Sequence, residues 1–387
     1  MNASLHQSSG NLIPSIGIEE EYQLVDPITG VLVPNCKEVM RDLKQPHTES
    51  DGRADIHHEL HLNQIEMASD VCKTLDDVHE SLVATRTRLN DAAVQNGSAL
   101  VAAGTHPMQL PDDPAMTPAD RYESMAVRYQ QLARELFIFG CHVHVSMPDR
   151  KLGSDVMNRC RRWLPLLQAL SANSPYWDGQ DTGYASYRRE LWMQWPVAGP
   201  PPHLESWHQH QDCVRDLIQC GAIADESFVY WDIRLPTKVD TIEFRCADVL
   251  TSIDHAVGYA GLVRAIVMQA TENALKQRPY LPPRAEVLRY SMWQAARYGV
   301  RDELVDPERL DRVSTGALVQ RLLDEIDGSL QRTGNREWVE SFLNDVIQNG
   351  NGADRQRNLL LPLDEPGDLH LLALQMITET RSSQSKV

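Results

Sequence analysis

From Gly17 to Val25 apolar and polar residues follow a period of two, broken at Glu20. Ile18, Tyr22 and Leu24 share one face, Glu19, Glu21 and Gln23 the other. The period of two predicts a strand over 16–25, closed by the turn-forming Asp26-Pro27-Ile28-Thr29-Gly30 and returning through a short partner at 31–33. The period recurs along the chain. In 62–69, Ile65 and Met67 alternate with Gln64, Glu66 and Ala68. In 137–147, Phe137, Phe139, Cys141, Val143 and Val145 oppose Gly140, His142, His144 and Ser146. In 240–247, Ile242, Phe244 and Cys246 oppose Thr241, Glu243 and Arg245. A strand at 228–234 sets Asp232 and Arg234 against Trp231 and Ile233, and the Pro236-Thr237-Lys238 link makes it the antiparallel partner of 240–247. A short apolar strand fits 99–103.

Helical spacing takes over elsewhere. Thr74 to Asn96 opens on Thr-x-x-Asp, carries Leu75, Val78, Leu82 and Leu89 as an apolar stripe, and stops at Gly97. Helices are also predicted over 118–135, 153–173 and 207–222. Arg121, Arg128 and Arg134 on the first of these read as solvated. From 252 onward nearly everything reads as helix: 252–277, 284–299, 316–327, 336–348 and 366–380, with 355–363 a connection. The stretch 174–206, rich in Trp and Pro, reads as an ordered irregular loop. A loop that long inside a compact chain is usually functional, and it carries Arg188 and Arg189. Residues 1–12 read as a disordered lead. Residues 13–387 read as a single domain, sheet-forming over 13–250 and mainly helical over 251–387.

Composition narrows the class. A net charge of −17 argues against nucleic acid, which needs a basic surface. The 7 cysteines are scattered and odd in number with no CxxC, which points to a reducing compartment. No apolar run approaches the roughly 18 residues of a membrane span, and residues 1–11 lack the apolar core of a signal peptide. A cytoplasmic protein with no membrane association is expected.

The polar faces are where chemistry collects. Glu19 and Glu21, Glu66, His142 and His144, and Glu243 and Arg245 each lie opposite an apolar face. Carboxylates aligned on one face repel each other unless a cation sits among them. His142 and His144 point the same way, about 7 Å apart along the strand. His57, His58 and His61 invite a zinc reading, but Leu62 stands where HExxH requires its second histidine. Carboxylates with imidazole suit Mg²⁺ or Mn²⁺, in two or three ions, better than a thiolate-seeking metal. Divalent ions with arginines suggest nucleotide phosphates. No GxxxxGK[ST] or convincing GxGxxG occurs, so a nucleotide would be held by metals and arginines on a sheet.

These residues carry a resemblance. Gly17-Ile18-Glu19-Glu20-Glu21-Tyr22, Gln64-Ile65-Glu66-Met67 with Val71-Cys72, Gly104-Thr105-His106-Pro107 and Gly140-Cys141-His142-Val143-His144-Val145 resemble the carboxylate–amine ligase family, the type 2 glutamate–cysteine ligases. Ala185-Ser186-Tyr187-Arg188, Trp231-Asp232-Ile233-Arg234 and Thr241-Ile242-Glu243-Phe244-Arg245 continue it in the family's order, across roughly 14–300. The resemblance implies an α+β fold, a glutamine-synthetase-like antiparallel sheet curved into a funnel and backed by helices, and a single catalytic domain. It implies ATP-dependent amide formation through γ-glutamyl phosphate, with L-glutamate, an amine such as L-cysteine, and ATP as substrates. Glu19, His142 and Glu243 would hold one ion at the ATP phosphates; Glu21, Glu59 and Glu66 would hold the ion nearer the amino-acid carboxylate. Arg245 and Arg188 would stabilise the transferring phosphoryl group, and His144 and Arg234 would lie at the nucleotide. A homo-oligomer is implied as well. Two positions depart from common forms of the pattern: Glu59, where some relatives carry Asp, and Ser69, where many carry Thr. Two other readings compete: a guanidino-kinase-like phosphotransferase, which would stop at phosphoryl transfer, and a non-catalytic metal- and nucleotide-binding protein. The three metal-binding strands favour the ligase over a kinase that relies on arginines.

Overall fold

Strand β1 (Ile16–Val25) is central to a seven-stranded antiparallel sheet in the computed structural model, which describes residues 13–43, 55–360 and 368–382. The expected lead at 1–12 lies outside the described residues. The other strands are β2 (Asp55–His58), β3 (Gln64–Ala68), β4 (Ala99–Val101), β5 (Gly140–Ser146), β6 (Ile233–Arg234) and β7 (Thr241–Asp248). Their order is β6-β7-β5-β1-β3-β2, with β4 pairing the far end of β1.

The alternation in β1 fixes its register. Ile16, Ile18, Tyr22 and Leu24 are buried in the core, and Glu19 and Glu21 lie on the opposite face. A slip by one residue would exchange the two sets. Re-exposing Ile16, Ile18 and Leu24 alone would cost about 5–9 kcal/mol at roughly 1.5–3 kcal/mol each, before any charge is buried. Glu20 shares the core parity and is fully buried, where it meets Arg86.

Helices cover the apolar face. α1 (Leu75–Gln95) begins at a complete capping box: Asp77 N–H donates to Thr74 Oγ1 at 3.0 Å, and Thr74 N–H donates to the Asp77 carboxylate at 2.9 Å. α3 (Ile253–Leu275) is buried along most of its length beneath the strands. Gly258 lets the helix Arg336–Asn349 cross it closely, since a Cβ there would lie 2.9 Å from the Trp338 carbonyl oxygen. One apolar cluster runs from Ile16 and Cys36 through these helices to Val346.

Several predicted elements need correction. The helix expected over 118–135 is α2 (Asp120–Tyr129) and a turn at Gln131–Arg134, separated by Gln130 at φ 50°. The helix over 153–173 is Arg150–Cys160, a tight turn, and Leu164–Ser171, which restarts at Pro165, where a missing N–H costs nothing. The strand at 228–234 breaks at Asp232, which turns inward to Arg189. Tyr230–Trp231 then pairs in parallel with Ala198–Gly199, and only β6 joins β7. The loop over 174–206 contains the short helix Tyr187–Trp192, capped by Ser186. The returning partner at 31–33 is a single bridge from Leu32 to Val25. Beyond 252 Glu303–Asp306 and Asp311–Ser314 interrupt the helices with a hairpin, and the connection expected over 355–363 is helical through Leu360, as part of the helix Gly352–Leu360, with 361–363 outside the described residues. Helix Cys36–Leu43 and strand β2 were not anticipated; both are too short for a period to declare itself. No helix among the described residues is long and apolar enough to cross a membrane.

Candidate active site

Strand pairing turns the period of two into rows of chemistry. Glu19 pairs with His142 across β5, and Glu21 with Glu66 across β3. Glu243 pairs with His144, and Arg234 with Glu243. Directly opposed side chains on one face have Cβ atoms about 4.5–5.5 Å apart, so the register forces these groups together.

Two sets of donor atoms result, each lying within 4.8 Å of one another: Glu19, His144 and Glu243, and Glu21, Glu59 and Glu66. Both are oxygen-rich, with at most one imidazole, and both fit a hard divalent cation. The second set is the one expected. The first contains His144 where His142 was expected, because His144 is the histidine opposite Glu243. His142 lies between the sets, with Nδ1 3.1 Å from Glu19 Oε2 and Nε2 3.8 Å from Glu21 Oε1. His144 Nδ1 is 3.0 Å from Thr241 Oγ1, and this holds the ring with Nε2 3.1 Å from Glu19 Oε1.

The two sets differ in charge balance. Burial opposes ionisation of Glu243, but the guanidinium groups of Arg245 and Arg234 and the His144 ring outweigh it and hold its carboxyl far below the usual range. Arg234 reaches it twice, Nε at 2.6 Å and Nη2 at 3.1 Å, and Arg245 donates to Oε1. Burial opposes ionisation of Glu19 too, and hydrogen bonds from His142 and His144 overcome it. In the second set burial pushes Glu66 well above the ordinary range, reinforced by its hydrogen bond to Glu59 and the charges of Glu59, Glu19 and Glu21. Burial and the charge of Glu21 raise Glu59 as well, against the opposing hydrogen bond from Glu66. A dication among these three carboxylates would replace repulsion by attraction.

A bulge in β7 supplies what strict alternation hides. Phe244 pairs with Val143, but Ala247 pairs with Cys141, so one extra residue lies between. Parity flips, and Asp248 arrives opposite Gly140 on the site face. It is fully buried and accepts hydrogen bonds from Ser174 Oγ at 2.6 Å, Asn173 N–H at 2.7 Å and Ser186 Oγ at 2.8 Å. Arg188 Nη1 lies 3.9 Å from it, and the Arg188 guanidinium fills the space above Gly140, where a Cβ would come within 2.9 Å of Cζ. Gly140 N–H also donates to Glu21 at 2.5 Å. The neighbouring Arg189 turns away to Asp232.

All the side chains expected at the site line one of two adjoining cavities. The first, about 310 Å³, takes in Glu21, Glu59, Glu66, His142, Arg188 and Arg245. The second, about 470 Å³, takes in His144 and Glu243 with Trp207, His210 and Lys238. Glu19, Arg234, Ser227 and Arg121 border both. Arg121 and Asp248 were missed in the sequence: one resembles any exposed arginine on a helix, the other follows an unseen bulge. The apolar wall of the first cavity, with Leu60, Met125, Trp192 and Tyr230, was missed as well.

A model of the glutamate–cysteine ligase family 2 matches residues 15–368. A protein of Rhodopirellula baltica described as a candidate glutamate–cysteine ligase 2 is 56% identical over 368 residues, 95% of this chain and 97% of its own. A candidate glutamate–cysteine ligase 2-3 of Mycolicibacterium smegmatis is 38% identical over 357 residues, 92% of this chain and 96% of its own. Among solved structures, a glutamate–cysteine ligase of Francisella tularensis in complex with AMP superposes with TM-score 0.69 at 14% identity, covering 97% of this chain and 90% of that one. A bifunctional glutathione synthetase of Pasteurella multocida gives TM-score 0.64 at 15% identity, covering 99% of this chain and 54% of that one. At those identities the likeness to the solved structures is one of fold.

Proposed function

The chain belongs to glutamate–cysteine ligase family 2, and we propose that its acidic sheet face is where the γ-carboxylate of L-glutamate is activated by ATP and joined to an amine. Membership makes it an ATP-dependent carbon–nitrogen ligase, and its antiparallel sheet backed by helices is the glutamine-synthetase-like α+β fold. The observation that carries the reading is convergence. Two donor sets and four arginines, drawn from sheet strands, the link between β2 and β3, the short helix after Ser186 and α2, line two cavities that share a wall.

In the proposed reaction a γ-carboxylate oxygen bonds to the terminal phosphorus of ATP as the bond to ADP breaks. The amine nitrogen then bonds to the acyl carbon and gives up one proton to solvent as phosphate leaves. Glu21, Glu59 and Glu66 would hold one Mg²⁺ or Mn²⁺ ion, and Glu19, His144 and Glu243 another. Such ions supply neutralisation of phosphate charge. Transfer of a phosphoryl group asks the protein mainly for positioning and charge. Arg245 and Arg188 meet that need, each held by a buried carboxylate from β7, Glu243 for one and Asp248 for the other. Arg234, tied to Glu243, borders the wall between the cavities. L-cysteine is the first amine to test.

The test is purified protein with ATP, Mg²⁺, L-glutamate and a panel of amines, following ADP and amide together. ADP release that requires both glutamate and an amine, matched by amide, is expected. Nucleotide binding without turnover under every amine would contradict the ligase.

A further inference from the structure

Arg121 sits in the first turn of α2, a helix off the sheet that buries only Met125. Its guanidinium donates to Ser227 Oγ at 2.7 Å and lies 4.1 Å over the ring of Phe228. Neither partner carries negative charge. Among the described residues no carboxylate comes within ion-pair distance of it, although Asp225, which accepts from Ser227 N–H at 2.8 Å, feels its charge. Arg128 lies on the same helix seven residues on, and donates to the carbonyls of Gly221 and Ala222 at 2.6 and 2.7 Å. The helix is thus pinned to the 221–228 segment through both arginines, at Ser227 and Phe228 by Arg121 and at Gly221 and Ala222 by Arg128.

That position is the wall between the two cavities, shared with Glu19, Ser227 and Arg234. Arg234 rises from the sheet, and its charge is matched by Glu243, as is that of Arg245. Arg121 comes from the opposite side with its charge unmatched. Anything passing from the second cavity to the first crosses between them.

We propose that Arg121 is a catalytic residue that grips the phosphoryl group in transit from nucleotide to carboxylate. The proposal rests on the ligase reading above and adds to it the off-sheet half of the charge clamp. During transfer the negative charge is spread over three equatorial phosphoryl oxygens. A planar guanidinium presents paired N–H donors to such oxygens, which an ammonium group matches less well. Arg121 donates hydrogen bonds and keeps its proton. The bonds that change are carboxylate oxygen to phosphorus, which forms, and phosphorus to the ADP oxygen, which breaks.

Arg121→Gln and Arg121→Lys test this. The side chain is exposed, so both variants are expected to fold, with melting temperatures near that of the wild type. Arg121→Gln should lower kcat for glutamate-dependent ADP release about 100-fold or more. KM for ATP and for glutamate, and ADP affinity by calorimetry, should stay within about threefold, and Arg121→Lys should recover part of kcat. A kcat for Arg121→Gln within threefold of wild type, or a loss confined to the KM for glutamate, would overturn the assignment. Both of those leave the wild type active. Absence of glutamate-dependent ADP release from the wild type itself would overturn the ligase reading together with the proposal.

Discussion

Glu19→Gln is expected to lower Mg²⁺-dependent ADP release by about 10²–10³-fold, the scale of deleting one pre-placed charge at a reacting centre. Glu19 borders both cavities and contacts both histidines. Its carboxyl is kept ionised, despite burial, by those imidazoles. Glutamine keeps the shape and one acceptor but removes the charge that a dication would meet. The fold should survive, because the side chain is 27% exposed and its removal strands no buried guanidinium. Melting within a few degrees of wild type, alongside the loss of turnover, is the expected pair of results. Turnover within tenfold of wild type would remove Glu19 from the site.

One residue further along β1 the expected effect is of the opposite kind. Glu20 and Arg86 are both 0% exposed. Arg86 Nε donates to Glu20 at 2.9 Å and Nη2 at 2.5 Å, while Nη1 and Nη2 also donate to the carbonyls of Thr251 and Leu250 at 2.7 and 2.9 Å. Tyr22 donates to the same carboxylate. Burial disfavours the charge on Arg86, but the Glu20 carboxylate more than compensates and raises its pKa. Arg86→Met removes one partner and leaves a carboxylate in the core with a single hydroxyl. Breaking a buried pair in this way costs about 3–5 kcal/mol, which for a chain of this size lowers the melting temperature by roughly 4–6 °C. Glu20→Leu combined with Arg86→Met should recover much of that loss, since no charge is then stranded. Where Arg86→Met is still folded it should turn over normally, because Glu20 faces away from the site. A melting temperature within 2 °C of wild type would show that the pair does not hold the sheet to α1 and α3.

The contrast between Glu19 and Glu20 shows what the sequence carries. A period of two assigns faces, so it could place Glu19, Glu21, Glu66, Glu243 and Arg245 on one side and Glu20 on the other before any pairing was known. It could not rank His142 against His144, which share a face. Only the register, Glu243 opposite His144 and Glu19 opposite His142, separates them. Nor could it reach past the bulge in β7. Strict alternation would put Asp248 in the core with Ile242, Phe244 and Cys246, and the extra residue brings it to Arg188 instead. Arg86 did leave a trace, standing on the stripe of Leu82 and Leu89 where an apolar residue belongs. Arg121 left none, because the 221–228 segment that holds it lies about a hundred residues away in sequence.

The measurement that bears most directly on the central claim follows one oxygen atom. With L-glutamate carrying ¹⁸O in its γ-carboxylate, and with ATP, Mg²⁺ and an accepted amine, each turnover should deliver one labelled oxygen to the released phosphate. The carboxylate oxygen that takes the phosphoryl group is the oxygen that leaves with it. Phosphate free of label, released in step with amide, would contradict activation of the carboxylate by phosphoryl transfer on this sheet.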